Sequence, residues 1–441
     1  MIGLSRRPAA APDAFGALWF GQTVSAIGTQ VSMVALPLIA VLGLGAGPLE
    51  LGILAALETV PYLVLSLPAG VIVDRVDRRS TMIACDVGRA LALGLAALTV
   101  PLGVLSIGLL YAVALAVGSM SVFFTVACTS YLATILPADR LVGGNQRLEL
   151  SESGARVVGP SLGGAILGVA GAAAALTVDG ASYGISAVAI AASRRPADER
   201  VAPAEERVGF MAAMGEGLRR VLGDRILRDL AGSTALFNLG SGMVLAVVVL
   251  FATGELGVGA EGFGLIYGIG NVGFIFGALA VGALSSRLGV GRTLLWSNYL
   301  GALAMILLAV AGGVAGVALL LAGRFIGAVS APLFNVTVVS LRQTRVTPSL
   351  LGRVNATFEF IDWGTLPIGS LLGGLIGAAF GPRAALEVAA ACGVLSAVWI
   401  QLSPARRLTT LVATIERATP GPAGPVDVEV ADRPLEPPLV A

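Results

Sequence analysis

Long apolar runs separated by short polar connections fill residues 16–402. A helix needs about 20 apolar residues to cross the hydrocarbon core of a bilayer. Twelve stretches reach that length: 16–43, 50–73, 81–104, 107–135, 148–170, 172–193, 230–252, 262–284, 294–314, 316–339, 354–379 and 384–402. The pattern predicts an all-α membrane protein with twelve transmembrane helices.

Charged residues interrupt this pattern between the sixth and seventh segments. We therefore predict an N-terminal six-helix half at 1–193 and a cytoplasmic linker at 194–228 that includes an amphipathic helix. A C-terminal six-helix half follows at 229–403. Residues 404–441 are rich in proline and small residues, which predicts a mostly disordered cytoplasmic tail.

The two halves repeat when the second is shifted by 210 residues. "NQRLELSESGARVVGPSLGG" (145–164) then aligns with "NATFEFIDWGTLPIGSLLGG" (355–374). Matching positions include Glu149 with Glu359, Gly163 with Gly373, and Gly164 with Gly374. Two six-helix halves with internal similarity are typical of secondary transporters.

Composition supports a membrane protein and disfavours an enzyme. Of the 441 residues, 12% are charged, about half the fraction found in soluble domains, and the net charge of +1 gives no field for nucleic acid. The chain contains no Lys, so it lacks a phosphate-loop lysine, and no His, so proton handling would fall to carboxylates. Its three Cys lie in apolar segments. We expect no cofactor and no metal site.

Arginine placement predicts the orientation. With the N-terminus inside, 24 of the 28 Arg fall on cytoplasmic connections, and only Arg383 falls outside. By the positive-inside rule both termini are cytoplasmic and the protein is multi-pass in the cell inner membrane.

The connection after the second segment, "GVIVDRVDRRS" (70–80), is unusually rich in charge. It resembles the signature Gly-x-x-x-Asp-Arg-x-Gly-Arg-Arg of the major facilitator superfamily, with Asp77 in place of the second Gly. The resemblance implies a twelve-helix facilitator fold and a cytoplasmic conformational latch formed by Gly70, Asp74, Arg75, Arg78 and Arg79. The alternative is a topology anchor that only keeps positive charge inside.

A second motif, "GPSLGG", lies in the fifth segment. Its Gly159, Pro160, Gly163 and Gly164 resemble the antiporter motif of drug-exporting facilitators, and the alternative is a packing kink. Longer runs such as "LWFGQTVSAIGTQVSMVALPLIA" and "GRVNATF" resemble the macrolide-efflux and enterobactin-exporter-like branch, also called transmembrane secretion effectors. This resemblance covers nearly all of 15–402 and implies export.

Charged residues within the apolar segments are the candidates for function, because each costs at least about 2.5 kcal/mol at the bilayer centre. Glu58 has no charged neighbour at helical spacing and could bind and release a proton; the alternative is a permanently protonated Glu that bonds a carbonyl freed by Pro61. The other candidates for proton coupling or substrate contact are Glu149, Glu152, Arg156, Arg324, Glu359 and Asp362. Asp86 and Arg89 lie one turn apart on a segment that the resemblance places at the periphery, which predicts a structural ion pair.

Aromatic and amide residues could complete a pocket for an amphipathic ligand, although packing alone also explains them: Trp19, Gln22, Phe123, Phe124, Phe237, Asn238, Tyr267, Asn271, Phe334, Asn335 and Trp363. We expect a monomeric exporter of a small amphipathic drug or secondary metabolite, driven by proton antiport. The alternatives are a siderophore or lipid transporter, a proton symporter, or a membrane sensor that transports nothing. Expected partners are the substrate, protons and the bilayer.

Overall fold

The computed structural model describes residues 13–73, 75–193 and 210–408, and these residues contain helices and no strands. The N-terminal half comprises α1 (Asp13–Leu38), α2 (Pro48–Val73), α3 (Arg78–Thr99), α4 (Ile107–Ile135) and α5 (Ala138–Ala192). The C-terminal half comprises α6 (Phe210–Gly223), α7 (Arg225–Leu250), α8 (Ala260–Asn271), α9 (Gly273–Leu288), α10 (Val290–Val310), α11 (Gly316–Arg345), α12 (Pro348–Phe380) and α13 (Pro382–Leu402).

These helices give twelve membrane crossings. Eleven candidate spans are present in the described chain, and the longest, Gly143–Ala192, reverses at Gly171 into a first arm (138–170) and a second arm (172–192). Helices α8 and α9 form one span with a tight turn between them at Val272. The predicted fold class is confirmed, and α6 is the amphipathic helix expected in the linker.

The internal repeat extends to the backbone of the turns. Three glycines with positive φ in the first half, Gly45, Gly103 and Gly171, have counterparts in Gly257, Gly313 and Gly381 of the second half, which has a further one, Gly289, between α9 and α10. A residue with a Cβ is strained in that conformation. Matching glycines lie 210 to 212 residues apart in the sequence. We call this side of the molecule the Gly-turn end, and the side with the α2–α3, α4–α5 and α11–α12 turns the Arg-rich end.

Within the described part of the chain, the halves share a hydrophobic core only toward the Gly-turn end. There, buried residues of both halves form one cluster that includes Leu54 and Phe263. At the Arg-rich end each half has a core of its own, one around Met82 and Tyr131 and the other around Leu227. In this conformation the halves are therefore joined at one end and separate at the other.

Two close helix crossings at glycines connect the halves at the Gly-turn end. One is between α5 and α8 and the other between α2 and α12, and we call the two together the joint. A Cβ placed on Gly164 of α5 would lie 2.9 Å from the Cα of Gly264 in α8, and one on Gly374 of α12 would lie 3.0 Å from the Cα of Gly52 in α2. Such close backbone approach is how helices associate in lipid, where apolar burial between them gains little.

The preceding glycine of each repeated pair packs within its own half. A Cβ on Gly163 would lie 2.8 Å from the Val31 carbonyl oxygen of α1, and one on Gly373 would lie 2.9 Å from the Met243 carbonyl oxygen of α7. The repeated Gly-Gly pair thus binds two helices at once, one from each half.

Helix α6 is attached to the C-terminal half. Gly217 lies against the backbone of α12, where Arg353 pairs with Glu216 of α6. Asp224, which caps α7, lies 3.1 Å from Nη2 of Arg345. The described part of the linker therefore packs as an element of the second half.

Candidate functional site

Two cavities lie among the charged residues of the bundle. The N-half cavity, about 180 Å³, is lined by Gln22, Ser25, Ala26, Thr29, Gln30, Tyr62, Arg89, Ser121, Phe124, Thr125, Glu152 and Tyr183. The C-half cavity, about 390 Å³, is lined by Thr234, Phe237, Asn238, Ser297, Asn298, Ser330, Ala331, Phe334, Asn335, Val338, Val339, Arg342, Phe358, Glu359, Asp362, Trp363 and Leu366. Seven of the eleven aromatic and amide residues proposed from the sequence line one of them.

An aromatic stack joins the two cavities. The rings of Tyr62 on α2 and Trp363 on α12 are 4.4 Å apart and nearly parallel, at 15°. Tyr62 lines the N-half cavity and Trp363 the C-half cavity. The stack extends the α2–α12 glycine crossing toward the cavities, so any separation of these helices must break it.

On the opposite side, a hydrogen-bond chain extends the α5–α8 crossing. Asn271 donates through Nδ2 to the Arg156 carbonyl oxygen at 2.6 Å and accepts on Oδ1 from Arg324 Nη2 at 2.9 Å. Arg156 also pairs with Glu152 at 2.6 Å, and the Arg324 guanidinium lies 4.2 Å from the Tyr267 ring centre. The structure thus brings together three of the predicted charged residues.

The acids of α12 line the C-half cavity together. Glu359 accepts a hydrogen bond from Trp363 Nε1 at 3.1 Å, and Asp362 accepts one from Asn238 Nδ2 at 3.3 Å. The two carboxylates are three residues apart and share one face of the helix.

Sequence reasoning missed Arg342 as a site residue. It lies three residues before the end of α11, where an Arg is normally a marker of the cytoplasmic side. In the structure it is 8% exposed, lines the C-half cavity and lies 4.5 Å from the Phe358 ring centre. The arginine count alone carries no signal for this position.

Glu58 is half-buried one helical turn before Tyr62 on the same face of α2. Its side chain forms no hydrogen bond or ion pair with the described residues, which agrees with its isolation in the sequence. Its carbonyl oxygen lies against α4, 2.9 Å from where a Cβ of Gly118 would be. Glu149, by contrast, is exposed on the first arm of α5 and likewise forms no described pair.

Asp86 and Arg89 form the predicted ion pair, and both side chains are buried. The Arg89 guanidinium lies between the rings of Phe124 at 4.5 Å and Tyr183 at 4.1 Å. Helix α3 packs against α4 and α5, and Arg89 of this pair lines the N-half cavity, whereas Asp86 does not.

The residues of the 70–80 motif have separate positions. Arg79 donates to the carbonyl oxygens of Ile190, Ala191 and Ser193. Its guanidinium thus caps the end of α5 within the same half. Asp77 caps α3 with an extended backbone, so this turn needs no glycine there. Arg75 is exposed and Arg78 is half-buried, while Asp74 lies outside the described residues.

Gly70, the first residue of the 70–80 motif, lies in open space in this conformation. Gly70 belongs to the last turn of α2, and a Cβ added there would meet no atom within 4 Å. The separation of the halves at the Arg-rich end accounts for the open space.

The described residues contain no group of three or more Cys, Asp or Glu that could hold a metal ion. The arrangement instead offers charged and aromatic groups at the junction of two six-helix halves. Such midplane sites between repeats are where secondary transporters bind substrate and coupling ions.

Comparison with known proteins agrees with this geometry. The family profile described as transmembrane secretion effector matches residues 8–433. The uncharacterized MFS-type transporter y4rN of Sinorhizobium fredii is 26% identical over 81% of this chain and 87% of its own. The uncharacterized MFS-type transporter YfiS of Bacillus subtilis is 24% identical over 85% and 88%.

Solved structures show the same fold. The nucleoside transporter NupG superposes with a TM-score of 0.71 at 13% identity, covering 88% of this chain and 98% of its own. A bacterial homologue of the iron transporter ferroportin gives 0.69 at 16% identity, covering 88% and 98%. These folds are those of membrane transporters and not of enzymes. The chain belongs to the transmembrane secretion effector family of the major facilitator superfamily.

Proposed function

We propose that this transporter exports a small amphipathic compound from the cytoplasm, in exchange for protons that move inward. The proposal is supported by one observation: the halves are joined at one end only, and each half contains a cavity lined by charged residues. The halves meet through Gly164–Gly264 and Gly374–Gly52 and are separate at the Arg-rich end. A rocking motion about such a joint would expose the cavities to each side in turn.

The arginine distribution supports an orientation in which the Arg-rich end faces the cytoplasm. The conformation described would then be the one that accepts substrate from inside. The aromatic walls of the C-half cavity, among them Phe237 and Phe334, suit an apolar ligand body. The carboxylates suit protons or a cationic group.

Glu58 is the best candidate for proton binding. It lies one helical turn before Tyr62 on α2, lines neither cavity, and has no described partner that would hold it in one protonation state. The acids of α12 each accept a described hydrogen bond, and Glu152 is paired with Arg156. We therefore assign proton coupling to Glu58 and substrate contact to the α12 acids.

Proton flux into proteoliposomes tests this assignment. Addition of a transported compound should drive proton movement in the wild-type protein and in Glu387→Gln, since Glu387 is exposed and lines neither cavity. In Glu58→Gln the flux should cease while compound binding persists. Unchanged coupled flux in Glu58→Gln would make this residue structural.

A further inference from the structure

Arg342 carries a buried charge that forms no ion pair with the described residues. Its Nε and Nη1 atoms are covered, yet they donate to no acceptor among the described residues. The Phe358 ring at 4.5 Å orients the guanidinium but offers no hydrogen-bond acceptor in the plane of its N–H groups. Covered donors of a cation without acceptors are costly, which points to a partner that the described residues do not supply.

The carboxylates of the same cavity do not fill that role. Neither Glu359 nor Asp362 comes within the 4.0 Å ion-pair distance of Arg342 in the described structure. One oxygen of each accepts a described hydrogen bond, from Trp363 and Asn238 respectively, and the other is available. The cavity thus keeps its positive and negative groups apart.

The backbones of Arg342 and Asp362 lie at different distances from the α11–α12 turn. Arg342 is three residues from the end of α11, and Asp362 is fourteen residues from the start of α12. At 1.5 Å per residue, their backbones lie about 5 Å and about 20 Å from the α11–α12 turn. The Arg342 guanidinium nevertheless reaches Phe358, the residue before Glu359, so a ligand in the cavity would meet the cation and both carboxylates.

We propose that the C-half cavity binds an aromatic zwitterion, with the ligand carboxylate on Arg342 and its cationic group at Glu359 and Asp362. The inference rests on the proposed function and names its substrate class. A purely cationic ligand would leave Arg342 unpaired. A purely anionic ligand would be repelled by the two carboxylates. A volume of about 390 Å³ lies in the range of small-molecule sites.

Rhodamine B and its ethyl ester are suitable probes. Both contain the same aromatic cation, but the carboxylate is free in rhodamine B and esterified in the ester. Their binding to the protein in nanodiscs is measured by fluorescence anisotropy against empty nanodiscs. We expect the wild type to bind rhodamine B at least about tenfold more tightly than the ester, as a charge-assisted contact implies. Arg342→Gln should lose that preference and leave ester binding unchanged. Arg342→Lys should keep part of it.

Arg287→Gln is the matched control, since Arg287 is an exposed arginine at the same end of the same half. It should bind both probes as the wild type does. The proposal is overturned if the wild type binds no rhodamine B or shows no preference. It is also overturned if the preference survives Arg342→Gln, or if both probes weaken equally there. Binding is measured without a pH gradient and therefore does not depend on transport. If binding depends on Arg342 but proton-driven export fails, the transport proposal alone is refuted.

Discussion

Replacement of Gly164 by alanine should shift the conformational balance of the two halves. The new Cβ would lie 2.9 Å from the Cα of Gly264, whereas carbon atoms in good contact are about 3.5–4.0 Å apart. Helices α5 and α8 would have to separate by about 0.6–1 Å at the joint. In the proposed cycle this strain exists only while the Gly-turn end is closed.

Overpacking of this kind costs about 1–3 kcal/mol, which corresponds to about a 5- to 150-fold change in the ratio of the two states. Spin labels at Val104→Cys and Val314→Cys report on the opening, because both residues are exposed at the Gly-turn end in opposite halves. The measurement uses a background in which the three native cysteines are replaced by serine. Pulsed electron paramagnetic resonance should show a larger population of long distances between the two labels in Gly164→Ala than in the parent.

Gly154→Ala is the internal control, since Gly154 is on the same arm of α5 and a Cβ there would meet no atom within 4 Å. Gly374→Ala, at the other crossing, should act in the same direction as Gly164→Ala. Identical distance distributions in Gly164→Ala and the parent, or an equal shift in Gly154→Ala, would refute the role of the crossings.

Three further predictions concern the charged residues. Arg79→Gln should destabilise the protein by about 2–4 kcal/mol in thermal unfolding, because it removes charged hydrogen bonds to three carbonyls at the end of α5. Arg75→Gln, at an exposed position, is the control, and a comparable loss of stability there would argue against the cap. Asp74→Asn should impair transport at equal expression, as a latch requires, whereas Ser286→Ala, 212 residues further on near the end of α9, should not. Full activity of Asp74→Asn would argue against the latch. Cysteine at position 78 should react with an impermeant reagent only from the cytoplasmic side, and cysteine at Val314 only from outside; labelling in the reverse sense would overturn the orientation.

The sequence predicted the twelve crossings and the repeat because both depend on periodic signals that extend over many residues. Apolar length sets the spans, and the recurrence of Gly163-Gly164 at Gly373-Gly374 marks equivalent helices. Which glycine of each pair faces which helix could not be predicted. That depends on the rotation of α5 and α12 about their axes, which only the packed bundle determines.

The candidate site was predicted less completely. Glu152, Arg156 and Arg324 were chosen because they are charged within apolar segments, and the structure brings them together. Arg342 was missed because its position near a helix end has a sufficient explanation in topology. Tyr62 was missed because an aromatic residue in an apolar segment carries no signal of its own until its partner, Trp363, is known.

The attachment of α6 determines where the molecule can be divided into two autonomous units. A C-terminal fragment that begins at residue 229 would lack Val221, Leu227 and the Asp224 cap, which are buried in or bonded to that half. It would also leave Arg353 without Glu216. A fragment that begins at residue 210 keeps all of these contacts and divides no described helix. Co-expressed with residues 1–193, the longer fragment should purify as a monodisperse complex and the shorter one should not.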